Sequence, residues 1–229
     1  MNKPVIKIDV VSDVVCPWCY IGKRRLEKAI DQLKDKIDFE VEYHPFELNP
    51  DMPAEGRNHK EYLIAKFGGE SKYNQLTRHV VDVAAAEGLK FDFTSETISP
   101  NTRNAHRLIA FAKQEGKQPE MKEALMSAFF EKRIDLTKRE NLVAIAAQLG
   151  LDANRVDTFL KSEELSAEVQ LEEQTNHQRG ISGVPFYIIN NKYGVSGAQP
   201  SEVFVNAFSE IGSEPSLKGE ACDVEQKDC

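Results

Sequence analysis

Apolar residues alternate with polar ones near both ends of the chain, whereas they recur at helical spacing through its middle. Near the N-terminus, an extended apolar run at 5–11 and the alternating Phe39, Val41 and Tyr43 flank an amphipathic stretch at 21–33. Alternation with a period of two indicates a half-buried strand, and apolar positions three or four residues apart indicate a helix. This part of the chain therefore predicts a β-α-β unit.

From about residue 56 to 178 the pattern predicts an all-helical block. Capping boxes at 58–61 and 137–140 mark the beginnings of two helices, and a break near Ser162 divides the last long helical stretch. A short alternating run at 90–93 is the one strand signal within the block.

Strand character returns at 184–190 and at 191–196. Asn190 and Asn191, between these two runs, suit a tight hairpin because asparagine tolerates positive φ. An amphipathic stretch at 201–211 predicts the last helix. The beginning and the end of the chain therefore complete one mixed sheet that is flanked by helices.

These patterns predict an α/β fold in which a helical domain is inserted into a sheet domain. The sheet domain comprises residues 1–55 and 179–212, and the inserted domain comprises residues 56–178. After Gly212 the composition is polar and charged, so we expect residues 213–229 to form a flexible tail that carries a second cysteine pair.

Charge and hydropathy exclude two classes of partner. A net charge of −8 argues against nucleic acid, since phosphate binding needs a basic surface. No stretch approaches the ~20 apolar residues of a membrane span. Lys7 and Asp9 interrupt the first apolar run, which therefore does not resemble a signal peptide, and we expect a cytoplasmic protein. The pattern carries no signal for a particular oligomeric state.

The chemistry of the chain centres on Cys16-Pro17-Trp18-Cys19, at the predicted junction of a strand and a helix. Unpaired N–H groups and the helix dipole at this position favour a thiolate at Cys16, which is the predicted nucleophile. Cys19 lies one turn later on the same face and is the predicted resolving thiol. Half of a zinc site has the same spacing, but Pro17 fits a first helical turn better than a zinc knuckle.

The order of these motifs resembles the DsbA family of thiol-disulfide oxidoreductases. The Cys16–Cys19 motif opens the first helix, and Gly183-Val184-Pro185 precedes the third strand, as in a thioredoxin fold with a helical insertion. The segments at 45–50 and 101–108 resemble the FrnE-like branch of that family. The resemblance covers nearly the whole chain.

The resemblance implies a cis peptide bond between Val184 and Pro185, facing the two sulfurs. The Val184 backbone and Trp18 would then bind an extended segment of a disulfide-containing or unfolded protein client. Trp18 stands where DsbA itself has histidine, so the resemblance does not imply the oxidising potential of DsbA. It implies no metal or bound cofactor, and an external thiol such as glutathione or thioredoxin would recycle the cysteine pair.

The tail carries Cys222 and Cys229, and FrnE-like proteins can carry a second cysteine pair near the C-terminus. The resemblance suggests a relay of electrons between this pair and the first pair. Incidental thiols, slowed by acidic neighbours, are an almost equal alternative. A zinc site formed by all four cysteines fits their unequal spacing poorly.

Two further residues are candidates for tuning the nucleophile, namely Pro17 in the first helical turn and His106 in the family-like stretch. The main alternative function is that of a glutathione-dependent isomerase or transferase of the hydroxychromene-carboxylate isomerase or kappa-class type. Those isomerases typically carry serine in place of Cys16. A non-catalytic interaction module on a thioredoxin scaffold is the third alternative.

Overall fold

A mixed sheet and nine helices are seen in the computed structural model, which describes residues 3–93 and 97–213. In chain order, the elements are β1 (Val5–Ser12), α1 (Pro17–Leu33), β2 (Asp38–Pro45), β3 (Arg57–Asn58), α2 (His59–Phe67), α3 (Glu70–Ala86), β4 (Ile98–Ser99), α4 (Arg103–Gln114), α5 (Gln118–Phe130), α6 (Arg139–Gln148), α7 (Ala153–Lys161), α8 (Ser166–Gln178), β5 (Phe186–Ile189), β6 (Tyr193–Ser196) and α9 (Ser201–Ser213). None of the helices in these two stretches is long and apolar enough to cross a membrane.

The four-stranded sheet joins the two ends of the sequence. Its strand order is β2-β1-β5-β6, with β1 and β2 parallel and the other neighbours antiparallel. Asn190 and Asn191 have φ values of 50° and 54°, which confirms the predicted hairpin. The predicted mixed sheet of a thioredoxin-like α/β fold is therefore confirmed. The boundaries proposed between domains stay predictions.

Alternation along β1 places one set of side chains under α1 and α9. Ile6, Ile8 and Val10 are buried there and share a core with Phe204 and Phe208. Because side chains point to opposite faces in turn, Val11 at the end of the strand packs on the other side, with Phe46 and Ile181.

The helices between β2 and β5 have a core of their own, which includes Phe111, Leu125 and Phe130. Cys16 and Cys19 belong to this core rather than to the core under the sheet. The predicted dithiol therefore lies where the first helix of the sheet layer packs against the helical block.

Two of the predicted helix boundaries are confirmed. Asn58 caps α2, its side chain accepting a hydrogen bond from Glu61 N at 3.1 Å. The break near Ser162 separates α7 from α8. The last helix continues to Ser213, past its predicted end, and Gly212 in its last turn lies close to Ile37.

The capping box predicted at Thr137 is wrong. Thr137 N and Oγ1 instead donate to Asp135 Oδ1, at 2.8 and 2.7 Å, and α6 begins after Lys138. A turn stabilised by an Asp side chain has therefore replaced the cap.

The strand predicted at 90–93 is also wrong. Phe91 and Phe93 pack against Phe130, and Asp92 N donates to Phe130 O at 2.9 Å. The segment therefore packs against the end of α5. The ladder present within the block is instead the two-residue pairing of β3 with β4.

Gly22 sets the distance between α1 and the sheet. A Cβ at this position would overlap the Tyr187 hydroxyl and lie 3.2 Å from Pro185 Cγ. We expect Gly22→Ala to lower the free energy of unfolding by about 1–3 kcal/mol, because added volume in a packed core forces neighbouring atoms to move. Urea denaturation measures this change.

Tyr187→Phe provides the matched control. The buried Tyr187 hydroxyl has no hydrogen-bond partner among the described residues, so its removal alone has a small effect. In the double variant Gly22→Ala, Tyr187→Phe, part of the lost stability should return. A double variant as unstable as Gly22→Ala would show that the hydroxyl is not the obstacle.

Candidate active site

The two cysteines lie at the first turn of α1, as predicted. Cys16 is the residue before the helix, with φ −88° and ψ 113°, and Pro17 is the first helical residue. Cys19 N donates to Cys16 O at 3.0 Å, which closes the turn. Both cysteines are free thiols and nearly buried, with exposed fractions of 4% and 3%.

The segment before β5 meets the Cys16 sulfur. The Val184–Pro185 peptide bond is cis, and Cys16 Sγ donates to Val184 O at 3.6 Å. Pro185 O accepts a hydrogen bond from Gly197 N at 2.9 Å, which ties this segment to the end of β6. Within the described part of the chain, Val184 N–H donates no hydrogen bond.

Cys19 is held as a thiol. Burial raises the pKa of Cys19 well above its ordinary value, and the neighbouring Cys16 raises it further. The Lys122 ammonium acts in the opposite direction but does not cancel these effects. A buried thiol one turn inside the helix that begins after Cys16 suits a resolving role, because it becomes reactive only when its proton is removed.

Asp13 is a structural and electrostatic part of the site. The residue lies between β1 and α1 in the chain and is completely buried. Its Oδ2 accepts a hydrogen bond from Leu48 N at 2.8 Å. Burial acts to raise the pKa of Asp13, but His106, Leu48 N and Lys122 together hold it below its ordinary value.

His106 reaches the site through Asp13. Its Nε2 lies 3.3 Å from Asp13 Oδ1, and this contact acts to lower the pKa of Asp13. The structure therefore places His106 behind the carboxylate. Its predicted effect on the Cys16 thiolate would have to pass through Asp13.

Lys122 was not among the residues predicted from the sequence, and it lies on α5 with an exposed fraction of 1%. Its Nζ donates to Ser12 O at 3.2 Å. Burial lowers the pKa of Lys122 to about 8, although Cys19, Asp13 and Cys16 each act to raise it. A signal was present, since Lys122 falls on the apolar face of α5 with Leu125 and Phe129.

An open apolar groove of about 400 Å³ leads to the Cys16 sulfur. Its walls come from the beginning of α1, from α2 and α3, and from the end of α5, and Cys16, Trp18, Val184, Leu63, Val80 and Phe130 are among its lining residues. Trp18 also contacts the His79 ring, with 5.9 Å between ring centroids. The structure thus brings Trp18 and Val184 to one surface with the predicted nucleophile.

Behind the loop that follows β2 lies a buried pair of glutamates. Arg103 Nε donates to Glu47 Oε1 at 3.1 Å, while Glu47 Oε2 and Glu173 Oε1 have no hydrogen-bond partner among the described residues. Burial and then the charge of Glu47 raise the pKa of Glu173 to about 8. Glu47 is itself buried, with an exposed fraction of 4%.

Cys222 and Cys229 lie outside the described residues, and so does almost all of the predicted tail. Over residues 3–93 and 97–213, no group of three or more His, Cys, Asp and Glu side chains is arranged to hold a metal ion.

Known proteins resemble this chain over nearly its whole length. A family model described as a DsbA-like thioredoxin domain matches residues 7–209. A probable DsbA oxidoreductase from Streptomyces coelicolor is similar in structure, with a TM-score of 0.84, 33% identity and coverage of 96% of this chain and 97% of that one.

Two other solved structures share the fold. A 2-hydroxychromene-2-carboxylate isomerase has a TM-score of 0.68 and 16% identity, covering 90% of this chain and 95% of its own. The cytosolic disulfide reductase DsbM from Pseudomonas aeruginosa, solved with GSH, has a TM-score of 0.61 and 16% identity, covering 90% and 98%. At these identities the likeness concerns the fold alone.

The buried glutamate pair gives a stability prediction. The raised pKa means that folded Glu173 keeps its proton where the unfolded chain has lost it, so this residue destabilises the fold as pH rises from about 4.5 to about 8. We expect Glu173→Gln to be more stable than wild type by about 1–3 kcal/mol at pH 8, and by much less at pH 5. Urea denaturation at both values measures the difference.

Glu168→Gln is the matched control, because Glu168 is exposed on the same helix. Its effect on stability should be small at both pH values. If Glu173→Gln changed stability equally at pH 5 and pH 8, the carboxyl group of Glu173 would not titrate as inferred.

Proposed function

The chain belongs to the DsbA-like thioredoxin domain family, and from this premise we propose that it is a thiol-disulfide oxidoreductase acting on protein or peptide disulfides. The observation that carries the proposal is the position of Cys16, which caps α1, lies 3.6 Å from Val184 O and lines an open apolar groove. A nucleophile at a helix N-terminus, beside a buried second thiol, is suited to disulfide exchange.

The reaction proceeds in two exchanges. The Cys16 thiolate attacks one sulfur of the client disulfide, forms a mixed disulfide, and releases the other client sulfur as a thiolate. Cys19 then loses its proton and attacks Cys16, which forms the Cys16–Cys19 disulfide and releases the second client sulfur. The client gains two electrons and the enzyme dithiol loses two. The reverse sequence donates a disulfide.

Client binding uses the backbone before Pro185 and the apolar groove. The free N–H of Val184 and its carbonyl can pair with an extended client segment, an interaction that does not depend on the client's side chains. Trp18 and the apolar groove walls would receive an apolar side chain near the client cysteine. An unfolded or partly unfolded protein offers both features.

We propose that the enzyme works in the cytoplasm, as a reductase or isomerase. An external thiol such as glutathione or thioredoxin then returns the Cys16–Cys19 pair to the dithiol. This scheme needs no metal and no bound cofactor. Two intact, adjacent thiols favour redox exchange over glutathione-dependent isomerase chemistry, which is the main alternative function for this fold.

The first test of the function distinguishes the roles of the two cysteines. We expect Cys16→Ala to abolish insulin reduction, because the attacking sulfur is lost. Cys19→Ala should form a mixed disulfide with the client but fail to release it, so that a covalent complex accumulates. Turbidity of reduced insulin and non-reducing electrophoresis measure the two outcomes.

A Cys16→Ala protein that still reduces insulin would contradict the proposal. So would a wild-type protein that forms no Cys16–Cys19 disulfide in glutathione buffers and instead binds glutathione noncovalently. That result would favour the alternative function of an isomerase or transferase.

The second cysteine pair has its own test. We propose that Cys222 and Cys229 relay electrons to the first pair, as the FrnE-like resemblance implies. The double variant Cys222→Ser, Cys229→Ser should then shift the reduction potential measured in glutathione buffers, or slow the approach to equilibrium. An unchanged potential and an unchanged rate would make the two tail thiols incidental.

A further inference from the structure

The apolar groove contains a buried polar atom without a partner. Most of the buried residues that line the groove are apolar or aromatic, among them Val80, Phe129 and Phe130. His59 also lines the groove, with an exposed fraction of 7%, and its Nε2 has no hydrogen-bond partner among the described residues. Buried polar atoms are normally paired, so an unpaired one in the wall of a cavity indicates a place for a polar atom of a ligand.

The position of the His59 ring is fixed from two sides. His59 is the first residue of α2 and follows β3 directly. Its N–H donates to Thr97 O at 2.9 Å, which extends the pairing of β3 with β4 by one residue. On the ring, Nδ1 lies 2.8 Å from Ser99 Oγ, at the end of β4. The ring therefore cannot turn to pair Nε2 elsewhere without losing its contact with Ser99.

Aromatic rings surround His59. Phe93 stacks on its ring, with 5.7 Å between centroids and 12° between planes. Phe129 meets the same ring edge-on, at 5.7 Å and 76°. Both phenylalanines line the apolar groove, whose volume of about 400 Å³ is large enough for an aromatic side chain. Because aromatic rings pack favourably on one another, this part of the groove favours an aromatic side chain over an aliphatic one.

The state of the imidazole defines the polar group that can meet it. Burial lowers the pKa of His59 to about 4, so the ring is neutral at pH 7. In either neutral tautomer Nε2 is a donor or an acceptor, and a hydroxyl group can pair with both. A carboxylate could pair with the donor alone, and it would be buried among phenylalanine rings beside an uncharged partner. A neutral hydroxyl group is therefore the better match.

Polar side chains at the exposed end of the groove are already paired. The Tyr62 hydroxyl donates to Asn49 Oδ1, and Lys66 Nζ donates to the same oxygen at 2.9 Å. All three residues line the groove. Since these groups pair with one another, they leave His59 Nε2 as the unpaired buried atom in the described wall of the groove.

We propose that His59 is a specificity-determining residue, and that the apolar groove receives a tyrosine side chain of the client whose hydroxyl group pairs with His59 Nε2. The proposal rests on the proposed function, because the client disulfide must reach Cys16 in the wall of the same groove. A tyrosine near the client cysteine places its ring against the phenylalanines. A phenylalanine at that place would pack equally well but would leave Nε2 unpaired.

Peptide disulfides that differ in one side chain isolate the effect of the hydroxyl group. A tyrosine is placed in turn at each of the three positions on either side of the peptide cysteine. At the position that reacts fastest, it is then replaced by phenylalanine or leucine. Trp18 is the only tryptophan in the chain, so its fluorescence can follow oxidation of the reduced protein by each peptide. The measured quantity is the second-order rate constant.

We expect the tyrosine peptide to react roughly 5- to 10-fold faster than the phenylalanine peptide, which corresponds to one neutral hydrogen bond. This ratio should stay constant between pH 6 and pH 8, because His59 remains neutral throughout. Ionisation of Cys16 affects both peptides equally and therefore does not change the ratio.

Two variants at His59 test its role. His59→Phe keeps an aromatic ring and removes Nε2, so the two aromatic peptides should react at equal rates. The phenylalanine peptide should react about as fast as with wild type, which also shows that the variant is folded. His59→Gln restores a donor and an acceptor at about the distance of Nε2, and it should recover most of the preference for tyrosine. This second variant keeps the test valid if His59→Phe does not fold.

His79→Phe is the matched control. His79 lines the same groove but is exposed, where its ring contacts Trp18. The same chemical change at this position should leave the ratio of the tyrosine to the phenylalanine rate constant as it is in wild type.

Equal rates for the tyrosine and phenylalanine peptides at every position in wild type would overturn the proposal. A preference for tyrosine that persists in His59→Phe, or that is lost in His79→Phe, would assign the hydroxyl group to a different partner and overturn it too. Failure of the proposed function looks different, because none of the peptides, including the leucine peptide, would then oxidise the reduced cysteine pair.

Discussion

Burial of charge beside two thiols is the constraint on which this structure depends. An isolated carboxylate or ammonium in a protein interior is strongly destabilising, whereas a paired and hydrogen-bonded one can be retained. Asp13 and Lys122 meet this condition with different partners. The carboxylate accepts a backbone N–H from the loop after β2, and the ammonium donates to the backbone at the end of β1. Each charge thereby also fixes a loop that positions the dithiol.

The same constraint orders the two sulfurs. Cys16 lies at the end of a helix and at the edge of the apolar groove, where a partner can reach it. Cys19 lies one turn deeper, against the buried charges. The difference in their chemistry therefore arises from depth and from neighbours, since the two side chains are identical.

Much of the fold and the two reactive cysteines could be predicted from the sequence because their signals are local. Alternation within β1 and β2, the Asn190-Asn191 turn and the spacing of Cys16 and Cys19 are all properties of short segments. Lys122 and the burial of Asp13 are different, because they depend on which helix packs against which loop. A lysine on an apolar helix face signals burial, but only the packed structure shows its neighbours.

The position of Lys122 on α5 has a consequence for how this protein can be divided. The sheet layer holds both cysteines and the cis-proline segment, yet Lys122, whose charge helps to lower the pKa of Asp13, comes from a helix about a hundred residues away in the chain. A minimal scaffold made by excising the inserted helices would keep the motif but leave a carboxylate and two thiols without their cation. The reactive centre is thus a property of both layers together, and the helical block cannot be exchanged as an independent module.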